Sequence, residues 1–337
     1  MQTTLRPLTL GEILDRTAEL YRNNFLLLAG ISSAYSGILL VLGLAQILVQ
    51  RGFSAMQMNT AAIVGAVIGI VMLALVSLVC GGVAIAANTR AVGWLHLGEP
   101  ASIGAAYRAV LPRTGRYVWL LTIIYFVAWF PCVLIYAAYA VLVLHYIRTT
   151  GMLSPHPTHA IDQSTALMLA GASVVFFLLL LAFGIYGIIM TLRYSLAVPA
   201  CTVENLKARP AIKRSIFLSK GSRGRIFMLG LLTIIIQVGL VGLTQGFFIV
   251  VGVKHKGVIP LWMSVLQQLL AFLTNTFVGP IYATGFTLFY FDQRVRKEGF
   301  DIEHMMQAAG MVPLPTAHAQ VGSPEGELAA EPGTGNE

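Results

Sequence analysis

The chain has few charged residues and few cysteines. Asp, Glu, Lys and Arg make up 11% of its 337 residues, whereas a soluble domain usually carries about a quarter. Inside the six longest apolar runs, no such residue occurs away from the ends. A charge at mid-membrane costs at least about 2.5 kcal/mol and is kept mainly for function, so this absence argues against a proton- or ion-coupled carrier. The three cysteines lie outside the predicted outer loops and imply no disulfide framework.

Apolar residues, by contrast, make up 57% of the chain. About 20 of them in succession can cross the roughly 30 Å hydrocarbon layer. A helix is the favoured spanning element because it closes its own backbone hydrogen bonds in lipid, and the alternating segments of a transmembrane barrel are absent. The sequence therefore predicts an all-α polytopic membrane protein with six transmembrane helices, at residues 25–49, 61–87, 117–144, 165–192, 226–251 and 265–291.

The basic residues alternate between the two sides of these spans. All but four of the 22 lysines and arginines fall in the N-terminal segment, the second loop, the fourth loop and the C-terminal end. The four exceptions are Arg51, Arg148, Lys254 and Lys256. The positive-inside rule places both termini in the cytoplasm, and we expect the bacterial inner membrane. The membrane topology then accounts for the net charge of +8. No nucleic-acid recognition module is found.

Three amphipathic segments precede the first, third and fifth spans. Thr9 and Glu12 form a capping box that begins a helix before the first span. Related patterns at residues 102–111 and 210–220 predict short helices in the membrane interface. One interfacial helix followed by two spans thus occurs three times, which predicts a threefold helix-hairpin repeat within a membrane domain of residues 1–306.

Two segments follow the last span. Residues 292–306 are charged and predict a short helix. Residues 307–337 are rich in Pro, Gly, Ala and Glu and cannot bury a core, which predicts a disordered tail.

The last two spans carry the best polar residues for a site. Gln268, Asn275 and Tyr282 fall on one helical face of the sixth span, and Gln237 and Thr244 on one face of the fifth. One interpretation is hydrogen bonding between helices, worth about 0.6 kcal/mol per contact. The other is a polar cavity or lipid-headgroup slot between these helices.

Seven basic residues between the fourth and fifth spans form a second candidate. One interpretation is that they bind anionic lipid headgroups, at about 1 kcal/mol per residue near the surface. The other is that they only set topology. They are Lys207, Arg209, Lys213, Arg214, Lys220, Arg223 and Arg225.

Other motifs are less informative. Gly242 and Gly246 predict close helix packing, within one subunit or between subunits. His156, His159 and Asp162 lie close together in an outer loop but lack a fourth metal ligand. No nucleophile arrangement or phosphate-binding glycine loop is recognised. We therefore expect no enzymatic activity, no cofactor and no metal.

The two ends of the membrane domain resemble a known family. Residues 8–16 (Leu-Thr-Leu-Gly-Glu-Ile-Leu-Asp-Arg), 21–25 (Tyr-Arg-Asn-Asn-Phe) and 291–301 (Phe-Asp-Gln-Arg-Val-Arg-Lys-Glu-Gly-Phe-Asp) resemble the membrane-domain family named after glycerophosphoryl diester phosphodiesterases. The resemblance implies a membrane scaffold related to lipid metabolism. It also implies that Asp15, Arg16, Arg214, Arg294 and Arg296 hold the interfacial helices and span ends together. We expect a stand-alone member, because a catalytic barrel takes about 200 residues or more, and only residues 307–337 follow the membrane domain.

These observations leave two hypotheses for function. The first is a non-enzymatic accessory or scaffold protein associated with membrane lipids, with lipids and a membrane protein as partners and no nucleic acid. It rests on the charge-free spans and the basic segment. The alternative is a transporter or lipid-moving protein with a polar pathway between spans five and six. That alternative predicts a cavity lined by Gln237, Gln268 and Asn275.

Overall fold

The structure, a computed structural model, describes residues 6–54, 60–150, 163–254 and 260–308. Within these ranges it is all-helical and contains no strand, as the sequence predicts. The predicted tail falls outside them from residue 309 onward. The α-helices in the described part are α1 (Leu10–Asn23), α2 (Phe25–Ser54), α3 (Thr60–His96), α4 (Ile103–Val110), α5 (Thr114–Thr150), α6 (Gln163–Tyr194), α7 (Ala197–Val203), α8 (Ala208–Ser219), α9 (Arg223–Lys254), α10 (Leu261–Glu298) and α11 (Phe300–Ala308).

Six of these helices are long and apolar enough to cross a membrane, which confirms the six predicted spans. They are α2, α3, α5, α6, α9 and α10, and each is longer than predicted. At 1.5 Å per residue, the 38 residues of α10 extend roughly 57 Å, well beyond the roughly 30 Å of hydrocarbon. The last turns of α10 pack with the short helices in a separate helical layer.

This layer is the basic end of the bundle, defined by residues 6–9, the short helices α1, α4, α7 and α8, and the last turns of α10. The described N-terminal segment meets the end of α10 there, because the Leu8 N–H donates to Asp292 at 2.7 Å. The main hydrophobic core also lies there, and α10 is buried on all sides from Ala283 to Gln293. Farther along the spans, large apolar side chains are exposed, as lipid contact requires.

The three predicted interfacial helices are present as α1, α4 and α8. The capping box of α1 is complete, since Thr9 accepts from the Glu12 N–H at 3.3 Å and Glu12 accepts from the Thr9 N–H at 2.7 Å. Ser102 caps α4 in the same way through its hydroxyl. The chain leaves α8 through Gly221, whose φ of +82° favours glycine. Local capping and turn residues therefore fix where these helices begin and end.

Two short helices differ from the prediction. Helix α7 was not predicted, because its small apolar residues continue the run of α6 and only a turn at Ser195 and Leu196 separates the two helices. The predicted helix at 292–306 is divided in two, because packing against the core continues α10 to Glu298. Gly299, with φ of +65°, then separates α10 from α11.

The helix hairpins pack in a cyclic order, as the predicted threefold repeat requires. The hairpins α2–α3, α5–α6 and α9–α10 each pair their own two spans. Each short helix packs on the second span of the preceding hairpin: α4 on α3, α8 on α6, and α1 on α10. The first spans follow the same rule, with α5 on α3, α9 on α6, and α2 on α10. The third hairpin thus packs against the start of the first unit, which closes the cycle.

A close approach of two helices occurs at a glycine that was not among the predicted packing glycines. A Cβ added at Gly187 would lie 2.8 Å from the carbonyl oxygen of Ala128, so α5 and α6 are in direct backbone contact. A Cβ at Gly242 or Gly246 would meet no described atom within 4 Å. Within the described part of the chain, these two glycines therefore make no close helix contact, and association between subunits stays a prediction.

Candidate functional site

A polar cavity of about 530 Å³ lies among the spans, and we call it the membrane cavity. Helices α2, α3, α5, α9 and α10 line it. Its volume falls within the range of small-molecule ligand pockets. No described Asp, Glu, Lys, Arg or His lines it, and its polar lining consists of neutral side chains: Ser32, Tyr35, Ser77, Asn88, Tyr125, Gln237, Asn275 and Tyr282.

One face of α3 provides much of the lining. Ser77, Gly81, Ala84 and Asn88 follow one another at helical spacing and all line the cavity. The ring of Tyr35 lies 3.3 Å from the position of a Cβ at Gly81, so the glycine lets this ring approach α3 closely. The spacing of these small and polar residues was a usable sequence signal. It was not predicted, because Asn88 lies just beyond the predicted end of the second span.

Several side-chain amide atoms around the membrane cavity have no hydrogen-bond partner among the described residues. Asn88 donates to Ser32 Oγ at 2.9 Å and to the Ala84 carbonyl at 3.2 Å, but its Oδ1 is buried with no partner among the described residues. The side-chain amides of Gln237 and Asn275 make no hydrogen bond with a described residue. An amide left unpaired in an apolar medium costs about 2–7 kcal/mol. The cavity is therefore suited to a molecule that supplies polar groups.

The membrane cavity is half-open, and several of its lining residues have exposed surface. Tyr125 is 51% exposed and Tyr282 is 39% exposed, although both line the cavity. Gln237 is also exposed, and it lies roughly 21 Å along α9 from Arg223, at the depth of the bilayer interior. A ligand can therefore place a polar group inside while its apolar part stays among the lipid tails.

Three residues of the predicted polar seam line this cavity: Gln237, Asn275 and Tyr282. The site nevertheless lies elsewhere than predicted. The sequence analysis placed the pathway between α9 and α10, whereas the cavity is shared with α2, α3 and α5. The reason is the cyclic packing of the hairpins, which brings α2 and α3 against α10.

The other two seam residues lie outside the membrane cavity. Gln268 packs against Gly43 and donates to a carbonyl of α2 at 3.3 Å, since α2 covers that face of α10. It lines a neighbouring cavity of about 540 Å³. Thr244 donates only to carbonyls of its own helix. In this part of the spans, Gln267 of α10 makes a polar contact with α9 by donating to Gln245 at 2.7 Å.

A buried carboxylate joins the two described chain ends at the basic end. The Asp292 side chain is fully buried and accepts hydrogen bonds from the Leu8 N–H at 2.7 Å, from Arg296 at 3.0 Å and from Arg225 at 3.2 Å. Arg225 and Arg296 also donate to the Leu8 carbonyl, at 2.8 and 2.6 Å. This cluster, the Asp292 junction, holds the N-terminal segment and the start of α9 against the end of α10.

A second network surrounds Glu204 at the end of α7. Arg214 donates to Glu204 at 2.8 Å and to Glu298 at 2.7 Å. Tyr290 also donates to Glu204, and Arg294 donates to Glu298 at 3.2 Å. Burial disfavours the charged form of Arg214, but its hydrogen bonds with Glu298 and Glu204 outweigh that effect and raise its pKa above the ordinary value. This Glu204 network joins α7, α8 and α10.

The seven candidate lipid-binding residues fall into two groups. Arg214 and Arg225 are held in the two networks just described. The remaining five are exposed and make no ion pair with a described residue, and they are Lys207, Arg209, Lys213, Lys220 and Arg223. Only this second group presents charge to the surroundings of the basic end.

The positions that the family resemblance singled out also fall into two groups. The arginines at 214, 294 and 296 join segments, as expected. Arg214 and Arg294 contact Glu204 at the end of α7. Arg296 donates to the Leu8 carbonyl of the N-terminal segment. Asp15 is exposed, and Arg16 pairs at 2.6 Å with Glu19 of its own helix. For Asp15 and Arg16 the expectation is therefore wrong, because α1 turns Ile13 and Thr17 toward the core and these charges away from it.

The structure and the comparisons add little on metals or family. His156, His159 and Asp162 lie outside the described residues. Among the residues that are described, no group of three or more His, Cys, Asp or Glu could hold a metal ion. Comparison with known protein families, curated proteins and solved structures finds no match. The family resemblance stays a prediction, and function has to be inferred from the membrane cavity and the basic end.

Proposed function

We propose that this chain is an integral membrane protein that binds a neutral lipid in its membrane cavity, as a lipid-moving protein would. The proposal rests on one observation, the unpaired Oδ1 of Asn88 and the unpaired side-chain amides of Gln237 and Asn275 around a half-open space among the spans. Polar groups at this depth are costly unless they find partners. A bound ligand with hydroxyl and carbonyl groups supplies those partners.

The chemistry of the lining favours an uncharged polar group. A charged headgroup would lie in a low-dielectric space with no described countercharge around it. Hydroxyl and amide side chains, which both donate and accept, instead match the hydroxyls and the accepting ester carbonyls of a neutral lipid. A diacylglycerol carries one hydroxyl and two ester carbonyls on a small backbone. Its acyl chains would leave past Tyr125 and Tyr282 into the bilayer.

The proposal is one of binding without catalysis. Neutral amides and hydroxyls orient a ligand, but general acid–base chemistry needs a positioned group with a suitable pKa. We further propose that the basic end faces the cytoplasm of a bacterial inner membrane, since that end carries most of the lysines and arginines.

Filling the membrane cavity tests this function. A Cβ at Gly279 would meet only Ser32 Oγ, at 3.7 Å, so Gly279→Leu projects into the cavity without displacing backbone. Asn275→Leu removes one unpaired amide. In phosphatidylcholine nanodiscs, we expect both variants to bind a fluorescent diacylglycerol about tenfold more weakly than the wild type, because polar partners or space are lost.

Two controls match these changes. Gly239→Leu adds the same side chain on α9, where a Cβ meets no described atom within 4 Å. Thr244→Val removes a hydroxyl that bonds only within its own helix. Both should bind like the wild type. The proposal is wrong if the wild type binds no diacylglycerol above empty nanodiscs, or if Gly279→Leu and Gly239→Leu bind equally well.

The accessory or scaffold hypothesis stays a prediction. It is supported by the five exposed cations at the basic end, which suit the anionic surface of a leaflet. It does not account for the unpaired amides within the membrane, and for that reason lipid binding in the membrane cavity is the preferred function.

A further inference from the structure

Two pockets at the basic end are lined by three cations each. The first basic pocket, of about 320 Å³, lies between α3, α4 and α5 and contains Arg90, Arg108 and Arg113. The second basic pocket, of about 560 Å³, lies between α6, α8 and α9. Its cations are Arg193, Lys220 and Arg223. No acidic residue lines either pocket in the described part of the chain.

The two pockets occupy equivalent places in the cyclic order of hairpins. Each takes one arginine from the final turns of a second span, Arg90 in α3 and Arg193 in α6. Each takes a cation from the end of the short helix that packs on that span, which is Arg108 in α4 and Lys220 at the end of α8. The third cation stands at the start of the next span.

That third cation is Arg113 before α5 and Arg223 at the start of α9. The threefold repeat therefore builds the same arrangement of three charges twice. The third junction, where α1 packs on α10, differs because α10 carries its own acids. Asp292 and Glu298 pair there with the arginines of α10.

Each pocket is lined by an arginine whose Nε has no acceptor among the described residues. Nε of Arg90 and Nε of Arg193 are buried and have no hydrogen-bond partner among the described residues. Arg90 does donate through Nη1 to the Thr202 carbonyl at 3.1 Å, and its guanidinium lies over Trp94. The side chain is thus held in place while one donor stays unused. A buried donor without an acceptor is uncommon and calls for an explanation, such as a bound water or ion close to the guanidinium.

We propose that the two basic pockets each bind a phosphate group at the basic end. Phosphate oxygens match the fork of guanidinium donors, and three cations without a carboxylate favour an anion. In the second pocket, Gly224 in the first turn of α9 adds the positive end of a helix. The pockets lie where spans leave the bilayer, so phospholipid headgroups and free phosphate are both within reach. This proposal is independent of neutral-lipid binding in the membrane cavity.

Removing exposed cations tests the two pockets separately. Arg108→Gln neutralises one cation of the first pocket, and Lys220→Gln with Arg223→Gln neutralises two of the second. These side chains are exposed and make no ion pair with a described residue, so the fold should tolerate the changes. The matched controls are Arg209→Gln, and Lys207→Gln with Arg209→Gln, which remove the same charge from α8 outside both pockets.

The delipidated full chain is titrated in detergent with phosphatidylglycerol, with phosphatidylcholine and with inorganic phosphate, and bound molecules are counted by native mass spectrometry. We expect two bound phosphate groups in the wild type. Each pocket variant should lose one of them, with its Kd raised about tenfold, while the controls keep both.

The three ligands distinguish the source of the phosphate. Preference for phosphatidylglycerol over inorganic phosphate identifies an anionic headgroup, and equal or tighter binding of inorganic phosphate identifies a soluble phosphate. The proposal is overturned if the wild type binds neither, or if the controls weaken binding as much as the pocket variants do. The latter result would show diffuse attraction to the whole basic end.

Discussion

The Asp292 junction makes the sharpest prediction about stability. Asp292→Asn keeps the size of the side chain but replaces one acceptor oxygen with an N–H donor. The two arginines that bond to it at 3.0 and 3.2 Å then face a neutral amide instead of a carboxylate. The Leu8 N–H can still donate to the remaining oxygen.

The magnitude follows from burial. Removing one partner of a fully buried ion pair costs about 3–5 kcal/mol. Here Asp292 is fully buried, but the Arg225 and Arg296 side chains are 29% and 37% exposed, so water compensates part of the loss. We therefore expect the free energy of unfolding to fall by about 2–3 kcal/mol. At roughly 2–3 °C per kcal/mol, this lowers Tm by about 4–9 °C.

Two measurements check this prediction. Thermal unfolding of the protein in detergent gives the change in Tm, and hydrogen exchange of the Leu8 amide reports whether the N-terminal segment is released. Asp15→Asn is the matched control, because Asp15 is exposed on α1. If Asp292→Asn and Asp15→Asn unfold at the same temperature and exchange the Leu8 amide equally slowly, then Asp292 does not hold the chain ends together.

Two further predictions concern helix contacts and capping. Gly187→Ala should destabilise the protein by about 1–3 kcal/mol relative to Gly184→Ala in thermal unfolding. The reason is that only the Cβ at Gly187 would meet a backbone carbonyl, at 2.8 Å. Equal Tm values for the two variants would contradict the close approach of α5 and α6. The hydrogen bond from the Thr9 amide, together with that from Arg6, lowers the pKa of Glu12 from 4.5 to about 2. The contribution of Glu12 to α1 should therefore be complete above pH 4.5 and be lost as the pH falls through about 2. Faster hydrogen exchange in the first turn of α1 would report this loss, and Glu12→Gln should abolish the pH dependence.

Several features could be predicted because they depend on neighbouring residues only. A long apolar run forms a span wherever lipid is the solvent, and the capping box of Thr9 and Glu12 begins α1 through contacts three residues apart. The order of short helices and spans likewise predicted the cyclic repeat. Even so, the sequence did not reveal α7, because nothing local distinguishes its small apolar residues from those of a span.

The candidate sites were only partly predictable. Periodicity identified Gln237, Asn275 and Tyr282, since these residues share a helical face with other polar groups. It also placed Gln268 in the same seam, although α2 covers that side chain. Periodicity assigns a residue to one face of its own helix, but it does not identify the helix that packs there.

The sequence by itself determined that this is a six-span helical protein with a repeated unit and most of its basic residues on alternate loops, because those properties follow from composition and spacing along the chain. Tertiary structure alone decided which amides meet around the membrane cavity and which cations pair with acids. It also decided which three cations gather in each basic pocket. Asn88 and Asn275, or Arg90 and Arg113, become neighbours only when separate helices pack, and packing depends on the shapes of surfaces that are distant in the sequence.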